Sequence, residues 1–323
     1  MRIYIVPLAL LLALLAIRPA SAQTAVVADG SYAQAPPAGD VYYYDQPFWT
    51  WQAGAEATYL SLEMRGVEEI SPFDFEVPFG FEAAPRIWLQ AENVNGWGGQ
   101  VRYWQYDADA SVDTIVTEVI TAGITADVSV VQSAAAELYT LDAEATRAFQ
   151  LGAFDMTASF GGRHAAIGAE NSISLFVLSG PSLINSGAVH RTDDFHGGGL
   201  TASLVGVLPL GESPWSLFGN IRGSALWGHE HRTGRTTIET DAIVISNSTS
   251  VLVDDAHLGI LELQAGGQWE HPLAYDRGLV FARLAFEYQN WNTTATLPPG
   301  PLSGDSLLDA DLYGISFAVG LER

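Results

Sequence analysis

The stretch WSLFGNIRGSALW, from Trp215 to Trp227, sorts its residues into two unlike registers. Trp215, Leu217, Gly219, Ile221, Gly223, Ala225 and Trp227 are apolar or small. Between them stand Ser216, Phe218, Asn220, Arg222, Ser224 and Leu226, mostly polar and including a charge. A period of two is the signature of a strand whose faces meet different surroundings. It recurs from residue 48 onward in about ten segments, near 49–62, 84–93, 97–107, 136–149, 153–167, 197–208, 215–228, 257–270, 278–291 and 311–322, and helical spacing is never sustained. The links between segments alternate in length. Those after the second, fourth, sixth and eighth are short (VNG, QLG, PLGESP, HPLAYDR), whereas those after the odd segments are long: 63–83, 108–135, 168–196, 229–256 and 292–310. Short turns at one end and long loops at the other predict an antiparallel transmembrane β-barrel of about ten strands (range 8–12). Its long loops would be extracellular, and both termini and the short turns periplasmic. Three of the long loops are rich in Val, Ile, Ser and Thr and are expected to continue the strands as hairpins beyond the membrane. The alternative is that they add membrane strands, raising the count to twelve or more.

Alternation alone does not say which face meets lipid, because a soluble sandwich sorts its strands the same way. The aromatic residues discriminate. Trp215 and Trp227 are twelve residues apart, about 40 Å of strand at roughly 3.3 Å per residue. A tilt of about 40° reduces this to roughly 30 Å, close to the ~25 Å apolar band of an outer-membrane barrel. Tryptophan at both edges of such a band is an aromatic girdle. Trp51, Tyr59, Trp97, Tyr103, Trp215, Trp227, Trp269 and Tyr313 are the expected interface aromatics. The other register then faces the lumen. It carries Glu56, Arg86, Glu92, Arg102, Asp142, Glu144, Arg163, Arg222, Glu262, Arg283 and Glu287, five arginines against six acids. Near balance points to ion pairs across the lumen, since an isolated buried charge is costly. The same residues fit either a hydrogen-bonded plug or the wall of a water-filled channel. Arg147 falls on the lipid register, which predicts a bulge there or a place at the periplasmic rim.

Composition places the chain in the envelope. Arg2, an apolar run from Ile3 to Ile17 and the site Ala20-Ser21-Ala22 read as a secretory signal peptide, residues 1–22. Residues 23–47 show no periodicity and read as a flexible periplasmic leader, leaving 48–323 as the barrel. There is no cysteine, and charged residues make up only 16% of the chain, well below the usual roughly 25%. The net charge of −23 argues against a nucleic-acid partner, whose phosphates would be repelled. Acids cluster in the first long loop (Glu63, Glu68, Glu69, Asp74, Glu76) and continue through Asp107, Asp109, Asp113, Glu118 and Asp127. Around an outer mouth they would concentrate cations and offer places for divalent ions.

Six segments together carry a family likeness: GWGGQVRYWQYD (96–107), YTLDAEATRAFQLG (139–152), SLFGNIRGSALWG (216–228), QWEHPLAY (268–275), FARLAFEYQNW (281–291) and DLYGISFAVGLER (311–323). In order, they resemble the pore-forming outer-membrane β-barrels related to the Legionella major outer membrane protein, in particular the planctomycete-type members. The resemblance implies an outer-membrane barrel and a pore, and carries over no catalytic residue. A departure from many such barrels is the final residue. Arg323 follows Leu321 and Glu322, while Tyr313, Phe317 and Leu321 keep the alternating face.

The expected function is therefore a general, weakly cation-selective diffusion pore for small hydrophilic solutes or cations, embedded in outer-membrane lipid. The alternative is a non-conducting structural or adhesive surface barrel with a plugged lumen. An outer-membrane hydrolase is remote, since no nucleophile motif singles out a serine. No enzyme activity, cofactor or metal site is expected. HEH at 229–231 puts His229 and His231 on one side of a strand, but two ligands fall short of a structural zinc site, and a solvated pair is the preferred reading.

Overall fold

The computed structural model describes residues 49–64, 78–120, 124–179, 182–240, 243–273, 278–293 and 307–323. The expected signal peptide (1–22) and leader (23–47) lie outside them. Ten antiparallel strands follow one another in the order of the chain: β1 (Trp49–Met64), β2 (Phe81–Asn93), β3 (Trp97–Ile120), β4 (Ile124–Leu151), β5 (Phe154–Ser179), β6 (Ser182–Pro209), β7 (Trp215–Thr240), β8 (Val244–Pro272), β9 (Leu279–Thr293) and β10 (Ala310–Glu322). Each pairs with the next, and β1 closes on β10 from Gln52↔Glu322 to Met64↔Ala310, so that no edge is left open. The fold is an all-β closed barrel of ten strands.

Turn chemistry fixes the short ends. At the β2–β3 turn Gly96 has φ 77°, and a Cβ there would stand 2.7 Å from the Ala148 carbonyl oxygen, so only glycine fits. The long segments after β3, β5 and β7 are not loops or separate membrane strands. They continue the flanking strands as hairpins, with register running to Ile120↔Ile124, Ser179↔Ser182 and Glu239↔Val244. Strands β3–β8 are consequently 24–29 residues long, against 13–16 for β1, β2, β9 and β10. One side of the barrel wall rises well above the other.

Two belts of aromatic rings divide this wall. Near the short turns Trp51, Trp97 and Trp215 are exposed, with Trp269 directly opposite Trp215. Toward the long hairpins, exposed Tyr59 stacks on Phe81 at 5.3 Å, Phe81 meets Tyr313 edge-on at 6.3 Å, and Trp227 is exposed on β7. Tyr103 and Trp269 are only half-exposed, because one bonds Gln105 at 2.8 Å and the other stacks on His271. Between the belts the outer face is apolar, with Phe160, Leu204, Ile221, Leu263, Leu284, Phe286, Ile315 and Phe317 all exposed. An apolar surface this continuous is suited to lipid.

Beyond the second belt the faces exchange. The outer register becomes polar (Asp107 and Asp109 on β3, Glu170 on β5, His229 and His231 on β7), while the inner register becomes apolar. Leu60, Leu62, Trp104, Tyr106, Leu138, Ile167, Phe195, Leu226, Leu258, Trp291 and Leu312 are all buried there. The physical reason is the change of solvent. Strands in hydrocarbon must show apolar side chains outward, whereas the same strands in water must bury them. The lower half is thus inside-out and the upper half is a barrel with an ordinary apolar core.

Candidate functional site

The lumen between the two belts is filled by a layer of ion pairs. Arg86 bonds Glu56 at 2.9 Å and Glu287 at 2.5 Å. Arg102 bonds Asp142 at 2.9 Å and Glu262 at 3.1 Å; Arg163 meets the same two acids at 2.6 Å each. Arg222 approaches Asp142 at 3.6 Å and bonds Glu144, whose other oxygen accepts from the Ser159 hydroxyl at 2.7 Å. Gln264 donates to Glu56 and Glu287, tying the two sides of the layer together. The register explains why these groups meet. Glu56↔Arg86, Arg102↔Asp142 and Asp142↔Arg163 are directly opposite on neighbouring strands and face inward, while Arg86–Glu287, Arg102–Glu262, Arg163–Glu262 and Arg222–Glu144 join strands that are not neighbours.

Four guanidiniums here face five carboxylates, all of them at most 7% exposed. Each guanidinium is held by carboxylates from two sides, the condition under which burying such charges is tolerable. A ten-stranded barrel is wider than the eight-stranded kind whose interior ordinary side chains fill. Long arginines reaching across the axis take up the extra width.

Above the ion pairs lies the apolar layer. Trp104 packs against Tyr106 and Trp291 with centroids 6.2 and 6.0 Å apart. Leu307 and Leu308, just ahead of β10, are fully buried in the same cluster. The Leu307 backbone N–H donates to Asp193 at 3.0 Å, and Asp193 is itself held by Arg191 at 2.7 Å. Arg232 bonds Glu230 and lies 3.8 Å from Asp193. Thus the described lumen is crossed by an ionic layer, an apolar layer and a second ionic cluster. A packed apolar layer offers an ion no hydration, so it is the strongest barrier of the three.

Toward the short turns the lumen opens instead. A cavity of about 380 Å³ has the first ion-pair layer as its floor. Its wall carries Gln52, Gln90, Gln268 and Asn220, and its mouth Glu92, Asp155, Glu270 and Glu322. Gln52, Gln90 and Gln268 each donate to one of these carboxylates, at 3.4, 3.5 and 2.5 Å. Arg283 also sits here, stacked 3.6 Å over the Phe218 ring and bonded to Gln268. The Trp88 ring lies over Gly54, where a Cβ would collide with it. Glycine at this position lets the ring lie flat against the cavity wall.

The eleven sequence-derived lumen residues therefore divide. Glu56, Arg86, Arg102, Asp142, Glu144, Arg163, Arg222, Glu262 and Glu287 come together in one layer, whereas Glu92 and Arg283 belong to the cavity below it. Arg147 is at the rim without a bulge. The β3–β4 register is unbroken, its guanidinium sits 4.9 Å over Trp97, and it bonds the Asn95 carbonyl in the β2–β3 turn. Of the acids expected at the outer mouth, Glu68, Glu69, Asp74 and Glu76, with the side chains of Glu118 and Asp127, lie outside those described. Glu63, Asp109 and Asp113 are exposed, and Asp107 half-exposed, on the outer register rather than turned into the lumen.

Sequence reasoning missed the apolar layer, the cluster of Arg191, Asp193, Glu230 and Arg232, and the inward turn at Leu307 and Leu308. A signal was present. On β3 the inward register reads Arg102, Trp104, Tyr106, Ala108, and on β1 Glu56, Thr58, Leu60, Leu62, Met64, polar and then apolar.

No protein-family model matches the chain, and no curated protein matches it in sequence. Several solved outer-membrane proteins are similar in shape. A major outer membrane protein from Thermus thermophilus is 12% identical, with 85% of this chain and 99% of that one covered and a TM-score of 0.33. The outer membrane protease OmpT of Escherichia coli is 10% identical over 85% and 96%, with a TM-score of 0.39. Ail, the attachment invasion locus protein of Yersinia pestis, is 11% identical over 85% and 98%, with a TM-score of 0.22. Likenesses this distant carry no argument about what the chain does.

Proposed function

We propose that this protein is an outer-membrane β-barrel with a closed lumen, a structural surface protein that holds a folded, polar-faced wall outside the cell. The observation that carries this reading is the exchange of faces above the second aromatic belt. The inner register there packs Trp104, Tyr106, Phe195 and Trp291 across the axis instead of lining water. In this orientation the short turns and both ends of the chain face the periplasm, and the hairpins of β3–β8 stand at the surface.

The competing reading is a general, weakly cation-selective pore, in which the family resemblance implies the pore and the acidic loops its preference for cations. What favours it is the cavity at the short-turn end, whose mouth carries Glu92, Asp155, Glu270 and Glu322 and would draw cations inward. Conduction would further require the apolar layer and the turn at Leu307 to leave the axis.

Insertion and orientation are tested together. In liposomes of lipids brominated at defined depths, quenching is expected at the headgroup-proximal depth for Trp215 and Trp227 studied as single-tryptophan variants. On intact cells, protease cuts within 108–135 or 229–256 support the surface placement. Cuts confined to the short turns overturn it.

A further inference from the structure

The HEH stretch finds partners that only the fold reveals. On the outer face of the tall wall, His229 of β7 stands directly opposite His196 of β6, and two residues further out His231 stands opposite Asp194. All four side chains point outward, the histidines exposed and Asp194 partly so, while Phe195 and Glu230 between them point inward and are buried. Directly opposed Cβ atoms are about 4.5–5.5 Å apart. Two imidazoles so placed can tilt their ring nitrogens to a common ion at the ~2.0–2.1 Å bond length of zinc.

The ladder is distorted at this point. Between β7 and β8 the register shifts between Gly228 and Glu230. Gly228 faces Ala256 and Glu230 faces Val253, so Asp254 and Asp255 are accommodated opposite His229 alone. Asp255 is the one non-glycine residue among those described with a positive φ, 63°. A bulge of this kind re-aims a side chain. Here it brings Asp254 Oδ1 to 3.0 Å from His229 Nδ1. An Nδ1–H donated to a carboxylate fixes the tautomer and leaves Nε2 free as a lone-pair donor, the arrangement that supports metal-bound histidine.

We propose that His196 and His229, with Asp194 and His231 beside them, form a surface chelating site for a divalent transition metal of the zinc or copper class. The ligand type fits, since imidazole suits zinc, copper and nickel. So does the surrounding charge. Asp194, Asp254 and Asp255 are close by, the chain has no lysine, and among the described residues the nearest outward arginine, Arg235, lies four residues beyond His231 on β7. The rotamers seen here do not gather three ligands at one point among the described residues. The site is therefore a two-imidazole chelate completed by water or by rotation of Asp194 and His231. It lies just beyond Trp227, at the edge of the lipid-facing band, and its occupancy is independent of whether the lumen conducts.

The test uses the full barrel folded in detergent and stripped with a chelator, titrated with Zn(II) by calorimetry and with Cu(II) by electron paramagnetic resonance. One equivalent of metal is expected, with nitrogen hyperfine structure from two imidazoles. H196N and H229N should each weaken binding at least tenfold and remove one nitrogen from the spectrum. D254N should weaken it about tenfold, the low end of the usual effect of an orienting carboxylate. H190N and H271N, at outward histidines elsewhere on the wall, should change nothing. Heat-modifiable migration shows that each variant is folded. Absence of binding at millimolar metal, or binding that survives the H196N/H229N double substitution, overturns the proposal.

Discussion

Asp142 is the residue on which the ionic layer turns. It is 1% exposed and meets Arg102 at 2.9 Å, Arg163 at 2.6 Å and Arg222 at 3.6 Å. Asp142→Ala leaves three buried guanidiniums converging on a vacated position. Each of them keeps its second carboxylate, Glu262 for Arg102 and Arg163 and Glu144 for Arg222, so the cost lies below that of a buried charge stripped of its sole partner, at about 2–3 kcal/mol for the lost charged hydrogen bonds. Urea unfolding in detergent, followed by tryptophan fluorescence, should show a loss of that size. Glu170→Ala removes an exposed carboxylate 3.6 Å from His190 and should shift the same curve by less than about 0.5 kcal/mol. Equal effects from the two substitutions would contradict the burial and pairing described here. Neither partner set is readable from the residues alone. Sequence spacing gives the inward register, but which arginine meets which acid follows from strand order and stagger, as with Arg86 and Glu287, 201 residues apart.

At the scale of the element, the inward turn at Leu307 and Leu308 makes β9 and β10 more than wall. Both leucines have 0% exposure, and the Leu307 N–H is anchored on Asp193 of β6. Leu308→Ala should cost about 2–5 kcal/mol by cavity formation in the apolar layer, read as an earlier unfolding midpoint with an unchanged slope. Strand count, alternation and turn lengths were legible in sequence because lipid imposes apolar-out sorting on every strand that crosses it. The hairpins β3–β4, β5–β6 and β7–β8 read less clearly, since above the membrane the apolar register changes sides and averages out over a long strand. Glu56, Thr58, Leu60, Leu62 and Met64 show the change within β1 alone. The turn at Leu307 left no periodic trace, because two apolar residues in a Pro- and Gly-rich link do not announce which way they point.

For the whole molecule, the barrel is two solvents' worth of protein on one continuous sheet. A membrane half encloses ion pairs, and a water-facing half encloses Trp104, Tyr106, Phe195 and Trp291. The cavity at the short-turn end stops at the first layer. Single-channel recording in planar bilayers addresses this most directly, using barrel whose folding has been verified by heat-modifiable migration. Wild-type protein is predicted to be electrically silent between −100 and +100 mV, on the order of physiological and modest applied potentials. A double Leu307→Ala, Leu308→Ala variant, with its apolar layer loosened, should show brief openings. Steady, discrete conductance steps from the wild-type barrel would contradict a closed lumen and return the protein to the class of diffusion pores.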